Sequence, residues 1–183
     1  MKDSLDTRYA LALFTIAKED NSVIKYQEEI KKIKQLFNNR ELFSILKSEF
    51  INRNERYLLV DKIFKTYSNA VRNFIKILIK NHRLNAYQTI FATFNSLCNE
   101  ERNVLEGIIY STETLEEKKI IEIEKALSKK NKLKVELTNR IDPSLIGGVK
   151  VVINNHVYDY SIANEINSLR SELKIGGHSS YEN

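Results

Sequence analysis

The stretch that decides how this chain is read is "IDPSLIGGVKVVINNHVYDYSI", Ile141 to Ile162. It holds the only proline, Pro143, and two of the five glycines, Gly147 and Gly148. A glycine pair of this kind can cradle a phosphate on bare backbone N–H groups, or it can let a strand start where a side chain would collide. A P-loop needs Gly-x4-Gly-Lys-Ser/Thr leading from strand into helix. Here Val149 follows, no Lys-Ser or Lys-Thr pair lies alongside, and the glycines lead from loop into strand. A dinucleotide fingerprint needs three spaced glycines before a helix, which this stretch lacks. The pattern therefore predicts a backbone device. Asp142-Pro143 opens a turn, since proline fixes one backbone angle. Gly147 and Gly148 supply the conformation or close approach. "GGVKVVI" and "HVYDY" form a hairpin about Asn154-Asn155, residues that tolerate left-handed angles.

Outward from the hairpin, a last helix is expected from about Ser161, with Ile162, Ile166, Leu169 and Leu173 on one face. Upstream, "VLEGIIYST" (104–112) and "LKVELTNRI" (133–141) read as strands. Between them "TLEE" reads as a capping box, Thr114 with Glu117, opening a helix to about Lys129. The first 105 residues read as six helices. Their apolar stripes are Leu5, Tyr9, Ala12, Ile16; then Val23, Tyr26, Ile30, Ile33, Phe37; a short helix capped by Asn39; Tyr57, Val60, Phe64, Tyr67; the apolar run of 69–83; and Leu84, Tyr87, Phe91, Phe94, Cys98. The expected fold class is α+β: an N-terminal six-helix bundle over 1–105, then a small α/β unit over 106–174 with a short mixed sheet and two helices. The tail 175–183 has no periodicity and is expected to be disordered.

The totals limit function. No run of about 18 apolar residues is present, so no membrane-spanning helix is expected. Asp3 and Asp6 near the start do not suit a secretory signal or transit peptide. The single cysteine, Cys98, cannot form an internal disulfide, which suits a reducing compartment. Residues 1–105 carry 18 Lys+Arg against 12 Asp+Glu, and 106–183 carry 11 against 12. Acids are interleaved with the basic runs "KKIKQ" and "KKNKLK", so no concentrated nucleic-acid stripe forms. His82, His156 and His178 have no metal-ligand spacing. Cys98 lies on an apolar stripe, where a buried thiol is the ordinary finding. Glu100-Glu101 and Glu116-Glu117 are adjacent on helices, where neighbouring side chains diverge. No Gly-x-Ser-x-Gly elbow occurs. The residues predict no catalytic group, no metal and no cofactor.

What exceeds a single core is apolar surface. In the helix of 69–83, Val71, Phe74, Ile75, Ile77, Leu78 and Ile79 cover about 200° of a helical wheel, where a surface helix needs little more than about 100°. In the first helix Ala10, Leu11, Phe14 and Ala17 lie off the main stripe. Both helices may be read as central and buried on most sides, or as walls of a groove for an amphipathic helix of another protein. A helical interaction adaptor, a weak nucleic-acid binder and an enzyme with an unfamiliar site remain open on the residues alone.

Two stretches resemble the delta-subunit family of F-type ATP synthases, known in mitochondria as the oligomycin-sensitivity-conferring protein. "RYALALFTIA" (8–17) is similar to the family's opening helix. "VELTNRIDPSLIGGVKVVINNHVYDYSIANEINSLRSEL" (135–173) is similar to its closing signature: strand, Gly-Gly turn, hairpin, serine and a helix ending Leu-Arg-x-x-Leu. The chain departs from the pattern at Asn154-Asn155, where Gly or Asp is common, and at Tyr160, where a small residue is usual. The resemblance covers about residues 5–174 and implies a non-catalytic peripheral-stalk subunit, monomeric when isolated. The helical part would bind the N-terminal helix of the alpha subunit, for which Ala10, Leu11, Phe14, Phe74, Ile77 and Leu78 are the candidates. The C-terminal part would bind the b subunit, with Ile162, Ile166, Leu169 and Leu173 as candidates, although at least half of these are expected to pack on the sheet instead. Nucleic acid is not an implied partner. Membrane association would be peripheral, through the complex, on the cytoplasmic face of a bacterial inner membrane. A plastid thylakoid is the second location suggested by the Lys-, Asn- and Ile-rich composition.

Overall fold

The computed structural model describes residues 4–154 and 156–176, with side chains as far as Ser171. The chain divides into two units, Met1–Glu101 and Arg102–Asn183. Among the described residues the first unit is helical: α1 (Leu5–Glu19), α2 (Val23–Leu36), α3 (Arg40–Lys47), α4 (Arg53–Ile63), α5 (Asn69–Lys80), a 3-10 turn at Leu84–Ala86, and α6 (Tyr87–Glu101). Local chemistry starts three of these helices. Ser4, Asn39 and Asn52 each accept a backbone N–H of the following turn, which satisfies donors that a helix leaves orphaned. The N-terminus of α5 is served from another helix. The Glu29 carboxylate of α2 accepts the Ser68 backbone N–H at 3.0 Å and its hydroxyl at 2.9 Å, setting negative charge at the positive end of the α5 dipole.

The stripes expected for α2 and α6 do form the core: Tyr26, Ile30, Ile33 and Phe37, with Leu84, Tyr87, Phe91, Phe94 and Cys98, are all buried. Phe37 ends α2 among the rings of Phe43, Phe64, Tyr87 and Phe91. Gln27 is 2% exposed and hydrogen-bonds Asn95 and Asn99 of α6 at 2.8 and 2.6 Å, so its polar head is satisfied inside. The stripe Tyr57, Val60, Phe64, Tyr67 is also turned inward, but α4 ends at Ile63 and the last two positions belong to the turn that follows.

The second unit holds β1 (Val104–Ser111), α7 (Glu117–Asn131), β2 (Lys134–Ile141), β3 (Gly148–Ile153), β4 (His156–Ser161) and α8 (Ile162–Gly176). The sheet order is β2-β1-β3-β4. β1 and β2 are parallel, joined through α7, while β3 runs antiparallel to both β1 and β4. The sheet is thus mixed. Ile109, Val135, Val151 and Ile153 form a buried core with Leu127 of α7.

The capping box expected at Thr114 does not form: α7 begins at Glu117 and its start has no side-chain cap. Asn139 of β2 takes the Leu115 N–H at 3.0 Å and donates to the Ile109 carbonyl and the Ser111 hydroxyl at 3.1 and 2.7 Å. This knot holds 113–115 against the strand ends, and the local cap loses to it. At the other end of the unit, α8 runs to Gly176, two residues into the expected tail. Residues 177–183, including His178, and Asn155 lie outside the described residues.

The Gly-Gly pair works as backbone. Gly148 has φ +78, and a Cβ there would stand 2.3 Å from the Tyr160 carbonyl oxygen. Only a residue without a side chain fits both constraints. At Gly147 the neighbour is the flexible tip of Ile162, 2.6 Å from a built Cβ, which can move aside. Asp142 Oδ1 closes the preceding turn by accepting the Ser144 N–H at 3.0 Å. Ile153 pairs with His156 across a two-residue connection in which Asn154 has φ 51. Gly148→Ala should therefore destabilise the second unit by about 2 kcal/mol or more, and Gly147→Ala by less than about 1 kcal/mol. Amide hydrogen exchange of β3 and β4 in the two variants makes the comparison. Equal protection in both would contradict this account of Gly148.

Candidate functional site

Among the described residues no three His, Cys, Asp or Glu side chains gather as a metal site would, and no helix is long and apolar enough to cross a membrane. Cys98 is fully buried. His82 lies 2.8 Å from Glu49 on the surface, and Glu101 meets Lys18 at 2.9 Å. The larger feature is the set of apolar side chains that the fold leaves outside.

α1 is turned the other way from the expectation. Ala10, Leu13 and Ala17 are the fully buried positions. Leu5 and Ile16 are 39% and 41% exposed, Ala12 is exposed, and Tyr9 is half-buried. The stripe read as core is thus an outer edge, and two residues read as surplus, Ala10 and Ala17, are core. The reason is the neighbour. α1 rests chiefly on α6, and small side chains let two helix backbones approach closely. The available signal was Ala10-Leu13-Ala17, at spacing 3 and 4, with two methyl side chains where a close helix contact wants them.

Two polar contacts show which way each edge points. The Asn81 amide, at the end of α5, donates to the Tyr9 hydroxyl at 2.9 Å. Lys18 reaches Glu101 at the end of α6. The edge of Leu5, Tyr9, Ala12 and Ile16 therefore borders α5, and the edge of Phe14 and Lys18, whose ammonium lies over the Phe14 ring at 5.7 Å, borders α6. Leu11 is 50% exposed on that second side, and Phe14 is half-buried against the core.

On α5 the wide apolar arc is mostly interior. Val71, Phe74, Ile75, Leu78 and Ile79 are buried. Of the candidates first assigned to a groove, Ala10, Phe74 and Leu78 are therefore core residues without a surface to offer, because they lie on the inward faces of α1 and α5. Ile77 is 44% exposed. The opposite flank of α5 carries Arg72 and Lys76, which bind Asp61 of α4 at 3.4 and 2.7 Å. Ile77 thus stands on the flank nearer Tyr9 and Asn81, beside half-buried Ala70. Leu5, Tyr9, Ala12 and Ile16 thus lie on the α1 edge turned toward α5, and Ala70 and Ile77 on the α5 flank that carries Asn81.

In the second unit the last helix also departs from expectation. Ile162, Ile166 and Leu169 are 44%, 44% and 54% exposed and none of them joins the sheet core, although the tip of Ile162 lies against Gly147. The helix that supplies the sheet core is α7, through Leu127 and Ile123. The Leu173 side chain lies outside the described residues. Ser161 starts α8 by accepting the Asn164 N–H at 3.3 Å, while Asp159 accepts the Ser161 N–H at 3.0 Å; the Ser161 hydroxyl first, and then its N–H, hold the Asp159 carboxyl below its ordinary range.

Electrostatics reinforce the packing in each unit. Burial first, then the hydrogen bond to Asp20 and the charges of Asp20 and Glu29, push the Tyr26 hydroxyl up to about 12. Burial raises the Glu136 carboxyl, but the Lys134 hydrogen bond and the charges of Arg102 and Lys134 outweigh it and hold the group below its usual value.

The fold and its surface define a chain of two units, one helical and one built on a mixed sheet, each presenting apolar side chains at a helix edge. The sequence matches the family model of ATP synthase delta (OSCP) subunits over residues 5–173. It is 34% identical over 168 residues to the ATP synthase subunit delta of Bacillus cytotoxicus, covering 91% of this chain and 93% of that protein, and equally to that of Bacillus thuringiensis. The fold is similar to a chain in the mitochondrial ATP synthase hexamer of Toxoplasma gondii, with a TM-score of 0.69 at 18% identity, covering 93% of this chain and 98% of that one. The chain belongs to the ATP synthase delta (OSCP) subunit family.

Two outcomes test this site. Ile16→Glu and Ile77→Glu should leave thermal unfolding nearly unchanged, since both positions are already wet, whereas Leu78→Ala should cost about 2–5 kcal/mol in urea unfolding. The second concerns pH. Unfolded tyrosine ionises near 10.0 and folded Tyr26 at about 12, so its stabilising share is complete below pH 10 and is lost as pH rises toward 12. Tyr26→Phe should flatten that alkaline decline, read by urea unfolding across the window.

Proposed function

We propose that this chain is a non-catalytic peripheral-stalk subunit of an F-type ATP synthase that ties the catalytic head to the b subunits. The observation that carries the reading is the exposed apolar edge of α1, Leu5, Ala12 and Ile16, together with exposed Ile77 of α5, in a chain of the delta family. An amphipathic helix from the alpha subunit's N-terminus is the partner that fits this edge. Its apolar stripe would cover these side chains, and burial of apolar area would supply the affinity. α8 is the matching feature of the second unit, and Ile162, Ile166 and Leu169 are the surface offered to the b subunit.

The mechanism is mechanical. A rotary synthase exerts torque between shaft and head, and a stator couples proton flow to synthesis only if the head cannot turn with the shaft. That task asks a connector for two partner-binding faces and stiff material within each unit. The interlocked rings around Phe37 and the buried polar bonds of Gln27 and Glu29 serve the helical unit in this way. Proton and nucleotide chemistry would remain with other subunits. The bacterial relatives support a position on the cytoplasmic face of the bacterial membrane, held there through partners.

The experiment is titration of the full chain with a peptide of the cognate alpha subunit's N-terminal segment, by calorimetry. Binding should weaken at least about tenfold in Ile16→Glu and Ile77→Glu and stay unchanged in Leu11→Glu, which marks the other edge of α1. Affinity should barely respond to salt, unlike phosphate-driven binding to nucleic acid. Absence of binding by the parent chain, or loss only in Leu11→Glu, would overturn this placement.

A further inference from the structure

Arg56 of α4 is 7% exposed. Its Nη1 donates to the Leu46 carbonyl at 3.3 Å, and its buried Nε has no acceptor. Among the described residues no carboxylate lies within ion-pair distance of it. Arg72 also has an Nε without an acceptor, but its guanidinium faces Asp61 at 3.4 Å. Arg56 is therefore a buried cation with one long carbonyl hydrogen bond and no counter-charge, an arrangement that an anion would complete.

Space for that anion lies beside it. Arg56 lines a cavity of about 600 Å³ between the α3–α4 loop and the turn after α5, a volume in the range of small-molecule sites. Lys47 and His82 also line it. Its one acid, Glu49, is engaged by His82 at 2.8 Å. The rest of the lining includes Leu46, Ile79 and Leu84, with fully exposed Phe50 at the rim. The wall is firm where His82 leaves α5. That residue has φ 54, and the next N–H, from Arg83, closes on the Leu78 carbonyl at 2.8 Å, a helix-ending bond that fixes the chain. A shallower neighbouring cavity shares Arg56 and adds Arg53 and Lys80, so the surrounding potential is positive.

We propose that this cavity is an oxyanion site, taking a phosphate or carboxylate group carried on an apolar or aromatic body. The oxyanion sits on the guanidinium of Arg56 and the ammonium of Lys47. The body lies against Leu84, Ile79 and the ring of Phe50. Guanidinium binds oxyanions through charge-assisted hydrogen bonds, and Arg56 reaches this cavity without a carboxylate of its own.

The test titrates the full chain with phenyl phosphate while following ¹H–¹⁵N resonances, including the arginine Nε–H signals. The Arg56 Nε–H and the amides of Ser48, His82 and Asn85 should move together and saturate, and phenol should produce no such shift. Inorganic phosphate should bind more weakly because it lacks the body. Benzoate equal to phenyl phosphate assigns the carboxylate class as a ligand too, and preference for phenyl phosphate assigns the phosphate class. Lys47→Gln, at an exposed position, should lower affinity several-fold, and Arg56→Gln about tenfold or more. Should Arg56→Gln fail to fold by circular dichroism, the parent resonances and Lys47→Gln decide. Unmoved resonances, equal binding of phenol, or unchanged affinity in Lys47→Gln would overturn the proposal. The readout is confined to this cavity and is independent of the peptide titration on α1.

Discussion

The helical unit depends on the way α1 lies on α6. Ala10, Leu13 and Ala17 are wholly enclosed, and once that narrow stripe is inside, the 3.6-residue period of the helix fixes every other side chain of α1. Leu5, Ala12 and Ile16 are carried outward, Tyr9 comes within reach of Asn81, and Lys18 within reach of Glu101. A rotation of α1 by a quarter turn would bury the larger side chains and force a wider spacing from α6. The alanines decide against it. The surface available to a partner is a consequence of that packing choice.

Polar groups in the interior show the same priority of tertiary over local contacts. α5 is capped by Glu29 from α2, although Ser68 sits at the place where a local cap would act. Asn139 claims Leu115 and displaces the local cap at Thr114. In both cases the partner is a charged or amide group with several acceptor or donor positions, and it ties two elements together while it satisfies a backbone group. Gln27 does the same between α2 and α6. Arg56 is the contrasting case, a buried cation with one carbonyl for company beside an open cavity.

A protein that joins others needs stiffness behind the contact face. In the second unit, Gly148 lets β3 start hard against the Tyr160 carbonyl, and the sheet core closes on Leu127 of α7. α8 contributes nothing described to that core and leaves Ile162, Ile166 and Leu169 about half exposed. Apolar side chains in this position are a standing cost to an isolated chain, and a bound partner removes it.

The sequence by itself determined the kind of elements, most of their order and the use of the Gly-Gly pair. These rest on short-range physics: stripe spacing for α2 and α6, Asn39 as a cap, alternation in the strands, and the steric freedom that only glycine has at φ +78. Its resemblance to a known family also pointed to the right one, through the 135–173 signature. The tertiary structure alone decided which face of α1 is buried, that most of the α5 apolar arc is interior, that α7 rather than α8 supplies the sheet core, and that Arg56 has no counter-charge. A helix with apolar residues on two sides has two nearly equal ways to face a core. What separates them is how closely the neighbouring helix can approach, and against α6 the small side chains of Ala10 and Ala17 win over the larger stripe.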